Sequence, residues 1–317
     1  MKTTAAAKAA DQPKSLPHKS AAVSHGKIHP VVIYPFQQPR DYADLEPLYR
    51  WVARLGAEKE KYAHPITVMD RKTHWANETD KRFLDFRQNT IARHCKILDA
   101  WCVDTCQMWY SGLGMAFEDG TEEDVYWLIP GDFNYGSPVG LEILSRLHLL
   151  PQICLEQEQD LCIGEIATNH GNPKQLIDTY GTFALLYNWF PAEAQEIRRY
   201  TERPRSEFFA VRHRFLREAL QRRWFGYEQT VVMLLQAVTF RQRISRFSVG
   251  DISDLPQGRQ SLASALQEVE RIERVLKSLW CERCQANPGW IEEYQVLETQ
   301  SEQVRRTALI LLKNLLA

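Results

Sequence analysis

Apolar residues first cluster at Val31, Val32, Ile33 and Tyr34, a run closed by the prolines of "YPFQQP", and this predicts a first buried strand. In "RDYADLEPLYRWVARLGAE" the spacing of Leu45, Leu48, Val52 and Leu55 is helical, with Pro47 near the start, where a helix tolerates it. "HPITVMDR" predicts a second strand ending on Asp70, followed by the polar loop "KTHWANETDKRF". Ile91, Cys95, Leu98 and Cys102 then recur at helical steps, predicting one long helix over 83–110 that Gly112 and Gly114 break. Val125 to Ile129 run apolar without interruption, as in a strand buried on both faces, and stop at Pro130-Gly131-Asp132-Phe133-Asn134. "PVGLEILSRLHLLPQ" predicts a helix, "DLCIGEIAT" a strand, and the stretch around 180–190 a helix that Pro191 ends. "EFFAV" predicts a short strand, then two helices separated by Trp224-Phe225-Gly226-Tyr227, and "RQRISRFSVGDI" a last strand. Strands alternating with helices predict an α/β domain with a largely parallel sheet.

After residue 257 the period changes. Leu262, Ala265, Val269, Ile272, Leu276 and Leu279 alternate steps of three and four, Asn287-Pro288-Gly289 breaks the pattern, and Ile291, Tyr294, Leu297, Val304, Ala308, Leu311 and Leu315 resume it. This predicts a helical hairpin that packs on its own domain, or serves as a dimer arm or partner site. Its end, "ALILLKNLL", is apolar around most of the helix and calls for burial by the chain itself, a second subunit or a membrane surface.

Composition narrows the class. The 317 residues are 44% hydrophobic and 25% charged, with a net charge of -1, which gives no bulk attraction to nucleic acid or acidic lipid. Residues 1–28 begin "MKTTAAAKAADQPKSLPHKSAAVSHGK", low in complexity and without an apolar core, so a disordered tail and no signal peptide are expected. Without an apolar run of membrane-spanning length, the expected location is cytoplasmic. Seven cysteines, an odd number set mostly in apolar runs, fit reduced thiols. Cys281-Glu-Arg-Cys284 has the spacing of half a zinc site, but no second pair of ligands follows nearby.

The stretch "DVYWLIPGDFNYG" poses the functional question. Open α/β sheets bind ligands at the carboxyl ends of their strands, and Asp132-x-Asn134 stands where this strand ends. Gly, Asp and Asn also suit a plain turn for local reasons. The order of features, including "SGLGMAFEDG" before this strand and "FGYEQTVVMLLQAVTFRQRISRFSV" far downstream, resembles the GT-A-fold inverting glycosyltransferases of family two, which include dolichol-phosphate mannose synthases. The likeness covers roughly residues 30–255, and the downstream block is its most specific part. It implies a Rossmann-like, mostly parallel sheet flanked by helices: a GT-A-like nucleotide-sugar-binding domain over 29–256, with the helical hairpin over 257–317.

The same resemblance implies an enzyme that transfers a sugar, with inversion, from a nucleotide-diphospho-sugar to an acceptor. Donor binding falls to Pro35 in the first turn, to Asp70 for the nucleotide base, to Gly112 and Gly114, and to Asp132. Asp132 and Asn134 are the implied ligands of a divalent metal, Mg²⁺ or Mn²⁺, which takes oxygen donors and stabilises a leaving diphosphate. Glu228, after Gly226, is the implied general base, favoured as an anion if it opens a helix. Trp189, in the aromatic "YGTFALLYNWF", is the candidate for an acceptor groove, and Arg203, Arg205 and Arg212 for a phosphate.

The sequence departs from the family pattern in three places. "YPFQQP" lacks the usual Asn-Glu, the Asp-x-Asp is Asp132-Phe133-Asn134, and the Glu-Asp pair is Glu228-Gln229. A catalytically silent GT-A-like binding protein is therefore the alternative. Nucleotidyl transfer would call for a glycine loop after the first strand, and "YPFQQPRDY" has none. No P-loop, G-x-G-x-x-G, Ser-His-Asp elbow or H-E-x-x-H is present, and no nucleic-acid-binding motif. The expected partners are a nucleotide-sugar donor and an acceptor, with homo-oligomerisation through the C-terminal helices and membrane-surface contact as further expectations.

Overall fold

The computed structural model describes residues 26–33, 42–71, 76–100, 107–131, 133–166, 177–221, 228–250 and 262–316. Seven strands form one sheet: β1 (Ile28–Ile33), β2 (Ile66–Asp70), β3 (Lys96–Ala100), β4 (Val125–Pro130), β5 (Leu161–Ile166), β6 (Phe209–Arg212) and β7 (Ile244–Gly250), in the order β3-β2-β1-β4-β6-β5-β7. The β1–β2, β1–β4, β2–β3 and β5–β7 pairs are parallel, whereas β6 runs antiparallel to both β4 and β5. Six strands thus share one direction, and their carboxyl ends line one edge. The helices are α1 (Tyr42–Ala57), α2 (Lys81–Phe86), α3 (Gln107–Glu118), α4 (Pro138–Leu147), α5 (Leu149–Glu156), α6 (Thr182–Trp189), α7 (Pro191–Ile197), α8 (His213–Gln221), α9 (Glu228–Thr239), α10 (Leu262–Cys284) and α11 (Trp290–Leu316).

Every residue of β1 and β4 is buried, which is why these strands read as apolar runs rather than alternations. Side chains alternate between two core layers. Val31, Ile33, Tyr126, Leu128, Leu161 and Ile163 face the layer covered by α3, α6, α7, α8, α9 and α10. Ile28, Val32, Trp127, Ile129 and Cys162 face the layer covered by α1, α4 and α5.

The long helix expected over 83–110 is replaced by α2, a π-helical turn (Arg87–Ile91) and the edge strand β3. Ile91, Cys95 and Leu98 do sit at helical steps, but β3 pairs with β2 from Ile66↔Lys96 to Asp70↔Ala100, and that ladder decides the structure. Gly112 and Gly114 lie inside α3 rather than in a loop. A Cβ on Gly112 would stand 2.5 Å from Val68 Cγ2 and 2.6 Å from Val31 Cγ1, so this glycine lets α3 rest directly on β1 and β2.

The C-terminal helices form the expected hairpin, turning at Gly289 with φ +80°. It packs on its own domain. Val269, Ile272, Val275, Leu276, Leu279 and Trp280 of α10 enter the same core layer as α6 and α9. Asn188 of α6 donates to Leu297 O (2.9 Å) and Ser301 Oγ (2.8 Å) of α11. Buried Glu273 holds Lys277 (3.1 Å) and Arg305 (2.9 Å), a cross-link between the two helices. No helix among the described residues is long and apolar enough to cross a membrane.

Candidate functional site

The carboxyl edge of the sheet is closed at its centre by the end of β4. Gly131 N–H donates to Ile33 O at 2.6 Å, so β1 and β4 finish together. The buried Tyr135 hydroxyl donates to Pro130 O at 2.6 Å and folds the chain back over the strand end. Phe133 stacks on Phe208 with ring centroids 5.2 Å apart, bringing this turn against the segment that leads into β6.

Asn134 is half-buried in that turn. Its Oδ1 accepts the backbone N–H groups of Gly136 (2.9 Å) and Ser137 (3.2 Å), and Ser137 then caps α4 by accepting from Gly140 N–H. Both lone pairs of the amide oxygen are thereby engaged. Asn134, the expected metal ligand, thus shows turn chemistry among the described residues. Asp132 and Pro35 lie outside the described residues.

Because β6 is antiparallel, it starts at the carboxyl edge, where Phe209 pairs with Leu128 and Ile163. The segment before it, residues 201–208, therefore lies along that edge. Ser206 Oγ donates to Gly164 O (2.7 Å) and accepts Phe208 N–H (3.3 Å), and Glu165 Oε1 accepts Glu202 N–H (3.0 Å). These bonds hold two buried arginines, Arg203 (8% exposed) and Arg205 (6% exposed), at the carboxyl edge of the sheet, the edge where open α/β sheets generally bind ligands. Arginine is rarely buried, and where it is, its rigid fork suits anion recognition. Asp70 lies half-buried at the end of β2, beside β1, on the same edge.

Other expected site residues are not brought there. Arg212 pairs with Val125, at the amino end of β4, and donates to Leu155 O at 2.9 Å. The antiparallel run of β6 carries it away from Arg205. Trp189 is 2% exposed and packs against Trp280 (6.0 Å) and Tyr294 (5.5 Å), a core position rather than a groove wall. Gly112 and Gly114 lie in α3 and line no loop. Glu228 is the first residue of α9, and its side chain lies outside the described residues. Its neighbour Gln229 is fully buried and donates to Ala219 O at 3.2 Å, so it tethers α9 to α8. Glu165, which anchors Glu202, carries no motif in the sequence. The available signal was a single acid in the otherwise apolar "LCIGEIA".

A second polar cluster sits at the opposite, amino edge. Asp124 accepts from His29 Nε2 (2.9 Å), Thr121 N–H (2.8 Å) and Lys27 N–H (2.7 Å). Burial alone would raise its pKa, but these bonds outweigh it and hold the carboxyl at about 2. Tyr126 and His213 share a 2.7 Å hydrogen bond, and burial pushes the tyrosine hydroxyl up and the imidazole down. This cluster ties the start of β1 to β4 and α8, at the edge opposite Arg203 and Arg205.

A mostly parallel, helix-flanked sheet with one antiparallel strand beside the central pair, and an apolar strand ending in a turn at its ligand edge, is the GT-A glycosyltransferase fold. Among solved structures the chain is similar to glucosyl-3-phosphoglycerate synthase from Mycobacterium tuberculosis, at 15% identity and a TM-score of 0.53 over 82% of this chain and 81% of that one. The same synthase in complex with Mn²⁺, uridine diphosphate and phosphoglyceric acid gives 14% identity and a TM-score of 0.51, over 82% and 78% of the two chains. Its complex with uridine diphosphate gives 15% and 0.51, over 82% and 80%. No family model and no curated protein matches the sequence. At these identities the likeness shows the fold.

Asp132, the carboxylate expected to hold a divalent ion, lies outside the described residues. Asn134 Oδ1 is engaged by the backbone, and no group of three or more His, Cys, Asp or Glu side chains converges among the described residues.

Proposed function

We propose that this chain is a nucleotide-sugar glycosyltransferase working at the carboxyl edge of its sheet, related in pattern to the dolichol-phosphate mannose synthase group. The observation that carries this reading is the buried Arg203–Arg205 segment lying along the ligand edge of a GT-A sheet. In this reading Asp70 meets the nucleotide base, with Pro35 and Asp132 beside the donor. Arg203 and Arg205 take an anionic acceptor, a small phosphorylated hydroxy compound, as the phosphoglyceric acid of the similar synthase suggests. Glu228 withdraws the proton from the acceptor hydroxyl. The hydroxyl oxygen bonds to the anomeric carbon from the face opposite the diphosphate. The bond to the diphosphate breaks, and its electron pair leaves on the phosphate oxygen. Asp132 is the one carboxylate the predicted pair keeps for a divalent ion, and no step of this account passes through a metal.

A second reading is a silent donor-binding protein. It is favoured by Gln229, which stands where the family pattern has its Asp and is committed to the core. Release of nucleoside diphosphate from UDP- and GDP-sugars, with phosphoglycerate or glycerol 3-phosphate as acceptor, separates the two. Turnover above the buffer rate supports transfer, and binding without turnover supports the silent reading.

A further inference from the structure

We propose that Glu165 is a specificity-determining residue that accepts a hydrogen bond from a hydroxyl of the acceptor. This rests on the reading of the carboxyl edge as a transfer site. Glu165 is the next-to-last residue of β5, where the strand reaches that edge. Strand alternation puts it with Leu161 and Ile163, on the face covered by α6, α7 and α9 rather than by α1 and α4. Its two oxygens have different surroundings. Oε1 accepts the N–H of Glu202 at 3.0 Å, which fixes the start of the segment carrying Arg203 and Arg205. Oε2 is shielded from solvent and has no hydrogen-bond partner among the described residues.

Anchoring Glu202 needs one oxygen, and a glutamine would serve. A carboxylate oxygen kept from water without a donor is costly and rare in a folded chain. It becomes intelligible if a ligand supplies the donor. The terminal torsion of a glutamate is soft, so Oε2 turns to an incoming hydroxyl without moving β5. Glu165 and the arginine segment are joined by the Glu202 bond, so a ligand with both a hydroxyl and an anionic group engages them together. A site built to bond a substrate hydroxyl also rejects the analogue lacking it, because its own polar atom is then left unpaired.

The test compares glycerol 3-phosphate with n-propyl phosphate, which keeps the phosphate and carbon count and lacks the hydroxyls. Both are titrated calorimetrically into the wild-type protein and into Glu165→Gln and Glu165→Ala, with UDP and GDP titrated separately. The expected result is a preference of about tenfold or more for glycerol 3-phosphate in the wild type. Glu165→Gln keeps the anchor to Glu202 and the wild-type melting temperature but loses that preference, while propyl phosphate binds no more weakly than to the wild type, since a negative charge near the phosphate is removed. A purely structural Glu165 would be rescued by glutamine, so an undiminished preference in Glu165→Gln overturns the proposal. A wild type that binds the two phosphates equally, or binds neither, overturns it as well. Failure of UDP and GDP to bind would instead count against the donor reading, which keeps the two failures distinct.

Discussion

Asn134 and Ser137 hold each other in place. The amide oxygen of Asn134 accepts the N–H of Ser137, and the Ser137 hydroxyl returns a hydrogen bond to Asn134 O at 2.9 Å. The abrupt end of β4 is therefore turn chemistry on the asparagine side, and it launches α4. Asn134→Ala should cost about 1–2 kcal/mol through the two lost acceptor bonds, read as a lower urea midpoint with unchanged slope. Asn134→Asp keeps both acceptors and should stay within about 0.5 kcal/mol of wild type. Equal stability of the Ala variant would remove the turn role.

Two glycines in α3 should respond in opposite ways. Gly112→Ala drives a Cβ into Val31 and Val68, and overpacking of this kind costs about 1–3 kcal/mol. A Cβ on Gly114 meets nothing within 4 Å, so Gly114→Ala should gain about 0.5–1 kcal/mol from helix propensity. Chemical denaturation of both variants checks this. Matching effects would mean that this stretch is not a helix resting on the sheet.

Acid stability should depend on Asp124. Its folded pKa of about 2 lies below the ordinary 3.8, so the unfolded chain binds the proton more readily. The stabilisation, about 2 kcal/mol, is complete above pH ~4 and fades as pH falls from about 4 toward 2. Denaturation at pH 7, 4 and 2.5 should show a larger loss in the wild type than in Asp124→Asn, which starts less stable at neutral pH and keeps the acid loss of other paired carboxyls such as Asp160. Parallel pH profiles for the two proteins would contradict it.

The five cysteines among the described residues should divide into two classes. Burial pushes Cys95 up to about 12 and Cys162 to about 11, and Cys154 well above its ordinary value. Cys281 and Cys284 are half-buried at the end of α10. Alkylation of the native protein at pH 8, mapped by mass spectrometry, should label Cys281 and Cys284 before Cys95, Cys154 and Cys162, which stay intact until denaturant is added.

The central strands were legible because burial on both faces leaves an unbroken apolar run, as in "VYWLIP" and "IHPVVI". β3 was not legible. An edge strand with Lys96 exposed and Asp99 paired to Arg87 at 2.5 Å has too little apolar contrast to outweigh the helical spacing of its neighbours. The direction of β6 was also hidden, since four residues carry no sign of parallel or antiparallel pairing. That is why Arg205 and Arg212, seven positions apart in sequence, ended at opposite edges of the sheet. Trp189 could not be told from a groove aromatic because the Trp280 and Tyr294 that enclose it lie about a hundred residues away. Glu165 went unseen because a single acid at a strand end has no motif around it.

Donor binding is the most direct test of sugar transfer at the carboxyl edge. Calorimetric titration of UDP, GDP and their sugar conjugates, each with Mn²⁺ and with EDTA, should be run on wild type and Asp132→Ala. Binding of one nucleotide to the wild type, weakened tenfold or more in Asp132→Ala, is the result this account predicts. No binding of any nucleotide or sugar nucleotide under either condition would contradict it.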